Sequence, residues 1–194
     1  MGNLVAWGDE SRSNQRLDPN VYILGAVLMP SDTVDEVRDN LRGIQKRRGE
    51  KLHWTREPAK RRDDIAEAIA NCGITGIAFV KLTETGEREE RMRRKCFIDL
   101  MLALWTEYDC NSLTLESRGA KQDRLDRNLL DSMRASHRIP FEFRLSHAPG
   151  LSEPLLWAAD AVCGAVVSSR LGQGEWLATM NTRIKLVGVD DTQY

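Results

Sequence analysis

No C-x-x-C pair occurs in the 194 residues, and histidine appears only three times. The four cysteines, Cys72, Cys96, Cys110 and Cys163, are far apart. Neither a thiolate zinc site nor a dithiol redox centre is indicated, and reduced thiols in a cytoplasmic protein are expected. No apolar run approaches the ~20 residues that span a bilayer, and MGNLVAWGDES has no basic segment leading into an apolar one. A soluble protein without membrane contact or secretory leader is therefore expected. Met-Gly opens the chain, but Ala6 stands where a myristoylation signal has Ser or Thr, so no lipid anchor is expected. Charge of one sign is missing too: 28 Lys and Arg against 29 Asp and Glu leave a formal net charge of -1. That balance excludes no partner, because a neutral total can conceal a basic face opposite an acidic cleft. Repeats, low-complexity tracts and linkers are also absent. One domain over residues 1–194 is expected, large enough to bury a core without disulfides or a structural metal.

Several periodic segments fill that length. LVAWGDES runs from apolar residues to a polar tip, as a strand ending at Asp9 or Glu10 would. A turn-rich loop precedes VYILGAVLMP, which reads as a fully buried strand stopped by Pro30. The stretch from Ser31 to Arg48 has helical spacing, with Val34, Val37, Leu41 and Ile44 on one stripe. GEKLHWTREPAK is expected to be an ordered loop, and RRDDIAEAIANCG a helix closed by Gly73. ITGIAFVKLTE supplies a third strand, and a long helix is expected from Glu87 to about Tyr108, its EREERMRRK half a solvated charged face. SLTLESRG is a fourth strand ending at Glu116, KQDRLDRNLLDSMRASH a helix, and FEFRLSHA a fifth strand. The last long helix is expected to open with Ser152 as N-cap and Pro154 in its first turn. TRIKLVGVD is one more candidate strand. With the helical segment of about 31–73 set aside as an insertion between strands two and three, the order is β-β-β-α-β-α-β-α. An antiparallel meander extended by right-handed parallel crossovers gives a mixed five-stranded α/β sheet flanked by helices.

Within LLWAADAVCGAVV, residues 155–167, Asp160 is the single charge. A carboxylate in such a helix needs a cationic partner, capping amides or a metal. Asp9 and Glu116 end strands one and four; if those strands are neighbours and the last helix crosses them, three carboxylates converge. Like charges so placed repel and protonate unless something positive lies between them. Hard divalent cations, Mg2+ or Mn2+, suit an all-oxygen set. Two ions about 4 Å apart can activate water and stabilise a leaving oxygen in phosphodiester cleavage. Against this stand plainer roles: an internal ion pair for Asp160, a turn for Asp9 and Glu10, a strand-end charge for Glu116.

The GDES tip, the glutamate of LTLES and the aspartate of LLWAADAVCGAV, in this order, resemble the family known as domain of unknown function 3800, across roughly Leu4 to Arg170. The resemblance implies a ribonuclease H-like, RuvC-type nuclease fold. It also implies that Asp9, Glu116 and Asp160 are metal ligands, with Glu10 a candidate fourth or more distant carboxylate. Arg12 stands where the family usually has glycine, a departure that fits either a phosphate contact or a site that has drifted from the family. A homodimer, through a sheet edge or a helix face, is compatible with the resemblance.

Lys51 and His53, in EKLHWTR beside the basic QKRRGEK, are candidates for contact with the scissile phosphate or the nucleic-acid backbone. Trp54 is the tryptophan to suspect of stacking on a base, the others being core. His147, just before the last helix, is a candidate proton shuttle facing the same cleft, and His137 a cation at a helix end. The expected activity is metal-dependent hydrolysis of DNA or RNA. Two other readings stand beside it: a catalytically silent nucleic-acid-binding or protein-interaction module with the same fold, and an enzyme acting on a small phosphate-containing substrate.

Overall fold

Val21–Pro30 carries apolar residues on both faces without alternation, the pattern of a strand covered on both sides. In the computed structural model, which describes residues 3–45, 49–82, 88–180 and 184–189, this segment is β2, buried along all but its last residue. It pairs antiparallel with β1 (Leu4–Arg12) on one side and β3 (Thr75–Leu82) on the other. β4 (Cys110–Glu116) runs parallel to β1, and β5 (Arg144–Ala148) parallel to β4. β6 (Ile184–Val189) runs parallel to β3, giving the order β5-β4-β1-β2-β3-β6. The sheet thus has six strands where five are expected, because the tail candidate pairs; residues 182, 183 and 190 of that candidate lie outside the described residues.

Among the described residues, six α-helices cover the two faces: α1 (Val34–Gly43), α2 (Ala59–Asn71), α3 (Glu89–Thr106), α4 (Ala120–Ala135), α5 (Pro154–Arg170) and α6 (Glu175–Met180). One core lies between the sheet and α5, α1, α2 and α6, with Trp7, Trp54 and Trp157 in it. The other lies under α3 and α4, around Phe97, Leu113 and Phe143. No helix among the described residues is long and apolar enough to cross a membrane.

Local departures have local causes. α1 stops at Gly43, and Lys46, Arg47 and Arg48 of the expected longer helix lie outside the described residues. β5 starts at Arg144 because Phe143 N donates to Pro140 O in a turn, which leaves Phe141 77% exposed. Glu153, not Ser152, caps α5, its carboxylate accepting from Leu155 N, with Pro154 at the first helical position as expected. The charged half of α3 is a solvated face only in part: Glu89, Glu90, Arg91 and Arg94 are exposed, whereas Met92, Arg93 and Lys95 are buried. α6 had no counterpart in the sequence reading; it buries Trp176, Leu177 and Met180.

Strand parity places the site. Successive side chains point to opposite faces, so Trp7, in the α5-side core, shares its face with Asp9, while Ala6, in the α3-side core, shares its face with Glu10. Leu113 and Leu115 pack under α3 and α4, which turns Glu116 toward α5. Gly8 pairs with Leu115 in the parallel register, and one further step along both strands brings Asp9 beside Glu116. The carboxyl ends of two adjacent parallel strands form the crevice where open α/β sheets bind ligands.

Candidate active site

Asp160 projects from the middle of α5, 7% exposed, where that helix crosses β1. α5 approaches this closely because β2 is small at the crossing: a Cβ on Gly25 would lie 2.6 Å from Cys163 Sγ, and that thiol donates to Asp9 O at 3.2 Å. Asp160 Oδ2 accepts from the backbone N–H of Trp54 at 2.8 Å and lies 3.2 Å from His53 Nδ1. Glu116 is bonded to Lys51, and Gly150 leaves it room, since a Cβ there would lie 2.3 Å from Glu116 Oε1. Asp9 Oδ1 accepts from Glu10 N at 2.8 Å. Burial, then the charges of Asp160 and Glu116, push the Asp9 carboxyl well above the usual carboxylate range; the Glu10 amide and Lys51 oppose them.

Three carboxylates from three elements therefore repel one another in a half-buried place, with a single ammonium among them. Hard oxygen donors carrying surplus negative charge are what Mg2+ or Mn2+ takes, so the residues fit such an ion. Among the described residues, no three His, Cys, Asp or Glu side chains are already drawn together closely enough to hold one. Lys51 on Glu116, and Trp54 N with His53 on Asp160, hold the carboxylates instead.

The segment that carries Lys51 and His53 is fixed by Trp54. Its indole is 1% exposed, donates from Nε1 to Ser168 Oγ at 3.3 Å, and meets Trp176 edge-on at 5.6 Å between centroids. Arg62 lies over both rings and donates from Nε to Trp54 O. Trp54 is thus a core anchor and cannot stack on a base. Gly164 makes the fit: a Cβ there would lie 2.2 Å from Trp54 Cδ1 and 2.9 Å from its Cβ. Gly164→Ala is expected to cost about 1–3 kcal/mol of overpacking and to lower Tm by roughly 2–12 °C. A melting curve within 1 °C of wild type would show that the indole has slack.

Three other candidates belong elsewhere. His147 pairs with Leu115 in the sheet register and so points to the opposite face, where Nε2 lies 3.0 Å from Asp126 Oδ2; it does not face the carboxylates. Glu10, on the same opposite face by parity, accepts from Arg93 and, at 2.7 Å, from Tyr22 Oη, so it is held away from the Asp9–Asp160 side. Arg12 donates to Glu89 at 2.9 Å in an exposed pair.

Arg93 and Arg118 escaped the sequence reading. Arg93, 2% exposed, binds Glu10 and both oxygens of Asp126. A signal existed: Arg93 continues the helical spacing of Phe97, Leu100 and Leu104 backward, which places it on the core stripe. Arg118, two residues beyond Glu116, lines with Asp9, Glu116, Glu10 and Arg93 a cleft of about 120 Å³.

No family model and no curated protein matches the chain, so the narrower family assignment has no support there. Solved structures do match. Ribonuclease H2 from Pyrococcus horikoshii OT3 aligns with TM-score 0.60 and 8% identity, over 87% of this chain and 75% of the other. RNase HII from Archaeoglobus fulgidus, solved in a complex with PCNA, aligns with TM-score 0.58 and 14% identity, over 88% and 75%. Bst-RNase HIII in complex with Mn2+ aligns with TM-score 0.53 and 11% identity, over 89% of this chain and 54% of that protein's length. The chain has a ribonuclease H-like fold.

Proposed function

We propose that the chain is a divalent-metal-dependent nuclease that hydrolyses phosphodiester bonds of DNA or RNA. The observation that carries this reading is the meeting of Asp9, Glu116 and Asp160 on one face at the carboxyl ends of two parallel strands, where burial and then the charges of Asp160 and Glu116 raise the Asp9 carboxyl. Likeness in fold to ribonucleases, one of them solved with Mn2+, supports it.

In this reading Asp9, Glu116 and Asp160 would hold Mg2+ or Mn2+, which would supply the charge that activates water and stabilises the leaving oxygen. Trp54 N–H and His53 orient the Asp160 carboxylate. Gly150 gives Glu116 space to swing, and Lys51 is the cation that Glu116 exchanges. Once released, the Lys51 ammonium meets a backbone phosphate. α5 and the core around Trp54 keep the carboxylates from relaxing apart, so their orientation is set before substrate arrives.

The test is calorimetric titration of Mn2+ into wild type and Asp160→Asn, then incubation of both with labelled single- and double-stranded DNA and RNA. Binding and cleavage in wild type, both lost in the variant, are the expected result. Wild type that binds nucleic acid equally with and without metal and never cuts it would instead favour the silent module, whose carboxylates Lys51 and the Trp54 amide satisfy permanently.

A further inference from the structure

The cleft at the ends of β1 and β4 has two unlike walls: Asp9 and Glu116 on one, Glu10, Arg93 and Arg118 on the other. Its two arginines differ in what they are committed to. Arg93 is buried and takes the close contacts with Glu10 and Asp126. Those carboxylates are further engaged by Tyr22 Oη and His147 Nε2. Arg118 is left with long approaches to them, 3.5 Å from Nη2 to Asp126 Oδ1 and 3.7 Å from Nε to Glu10 Oε1. Its Nε is buried and makes no hydrogen bond. The nearest oxygen, at 3.2 Å, belongs to Glu90, whose side chain is 49% exposed and readily hydrated.

The base of Arg118, by contrast, is fixed. Ser117 Oγ donates to Asp123 Oδ2 at 2.7 Å, Arg118 N to Asp123 Oδ1 at 3.0 Å, and Ser117 N to Ala148 O at 2.9 Å. Gly119, at φ +99, then turns the chain into α4 through a conformation that side chains avoid. A guanidinium anchored at its root, with an exchangeable partner at its tip, has the form of an anion grip, and its planar fork matches phosphate oxygens in pairs.

The geometry points to Arg118 as the residue that holds a backbone phosphate of the nucleic-acid strand, flanking the phosphate that faces the carboxylates, with Glu90 as the partner it gives up. This rests on the nucleic-acid reading above. It assigns to Glu90 an opposing role: the carboxylate competes with phosphate for the same guanidinium, so removing its charge strengthens binding. A purely structural Arg118 predicts no such gain.

The experiment is fluorescence anisotropy with labelled DNA and RNA oligonucleotides in Mg2+, on Asp160→Asn protein so that nothing is cut, across a salt series. Arg118→Met is expected to raise Kd about tenfold and to reduce the slope of log Kd against log salt by about 0.7–0.9, one phosphate contact. Arg118→Lys should recover part of the affinity and the full slope. Glu90→Gln should lower Kd about threefold, a change of opposite sign that does not depend on Arg118→Met folding. An unchanged salt slope in a folded Arg118→Met, or a Glu90→Gln that binds no tighter, overturns the assignment to Arg118 alone. A parent protein that binds none of the oligonucleotides overturns the nucleic-acid reading and this one with it.

Discussion

Arg93→Met is expected to lose about 3–5 kcal/mol of stability, a fall in Tm of roughly 6–20 °C for a domain of this size. The side chain it removes is 2% exposed and bridges Glu10 to Asp126, itself 2% exposed. Breaking a buried pair from one side leaves a charge with neither water nor partner, and that is the costly case. His147 and Arg118 still face Asp126, which favours the lower end of the range. Removing both partners in Arg93→Met/Asp126→Leu should cost less than the single change, because the buried Asp126 charge is no longer left without its partner, while Glu10, at the more exposed end of the bridge, keeps Tyr22 Oη. The same network sets an acid limit. Burial pulls Asp126 upward, but the His147 hydrogen bond and Arg93 outweigh it and hold the carboxyl below its ordinary value of 3.8. A depressed carboxyl contributes its stability above that ordinary value and loses it as pH falls through the lower, folded-state value. The gap in unfolding free energy between wild type and the double variant should therefore be widest near neutrality and narrow below pH ~4. Urea denaturation across that range measures it, and a gap independent of pH would mean that Asp126 is not held charged.

Asp160→Asn and Asp160→Ala should be indistinguishable in activity and unlike in stability. Either change takes one anionic ligand from the set, and loss of several kcal/mol of charge stabilisation lowers cleavage about a thousandfold or more. Asparagine keeps an oxygen that accepts from Trp54 N–H, so its fold should stay within about 1 kcal/mol of wild type. Alanine leaves that buried amide without its acceptor, at a cost of about 1–3 kcal/mol. Thermal melts beside the cleavage assay separate the two effects. Cleavage retained by Asp160→Asn would remove Asp160 from the catalytic set.

The elements with clean periodicity were readable from the sequence, β2 and α5 above all, since an unbroken apolar run admits few alternatives. The meeting of Asp9, Glu116 and Asp160 followed from strand ends and one odd charge in a helix. Which face each neighbour takes was also encoded, since period-two alternation separates Asp9 from Glu10, yet reading both as one acidic tip hid it. His147 required the β4–β5 register, which no local pattern contains. Trp54 was misread because a tryptophan in a polar loop looks exposed until Gly164, more than a hundred residues later, provides its socket. Arg93 shows the reverse error: a charge run suggested a wet surface where helical spacing pointed inward.

The hydrogen bond from Cys163 to Asp9 O joins residues 154 positions apart. During vectorial synthesis β1 emerges before β4, and both emerge before α5, which brings Asp160 across β1. Strands β1 to β5 precede α5 and can pair before it emerges, whereas the acidic cluster closes only once α5 has left the ribosome. A nascent chain therefore carries Asp9 alone, then Asp9 with Glu116, before Asp160 joins them, so the three-carboxylate cluster cannot form until α5 has been made.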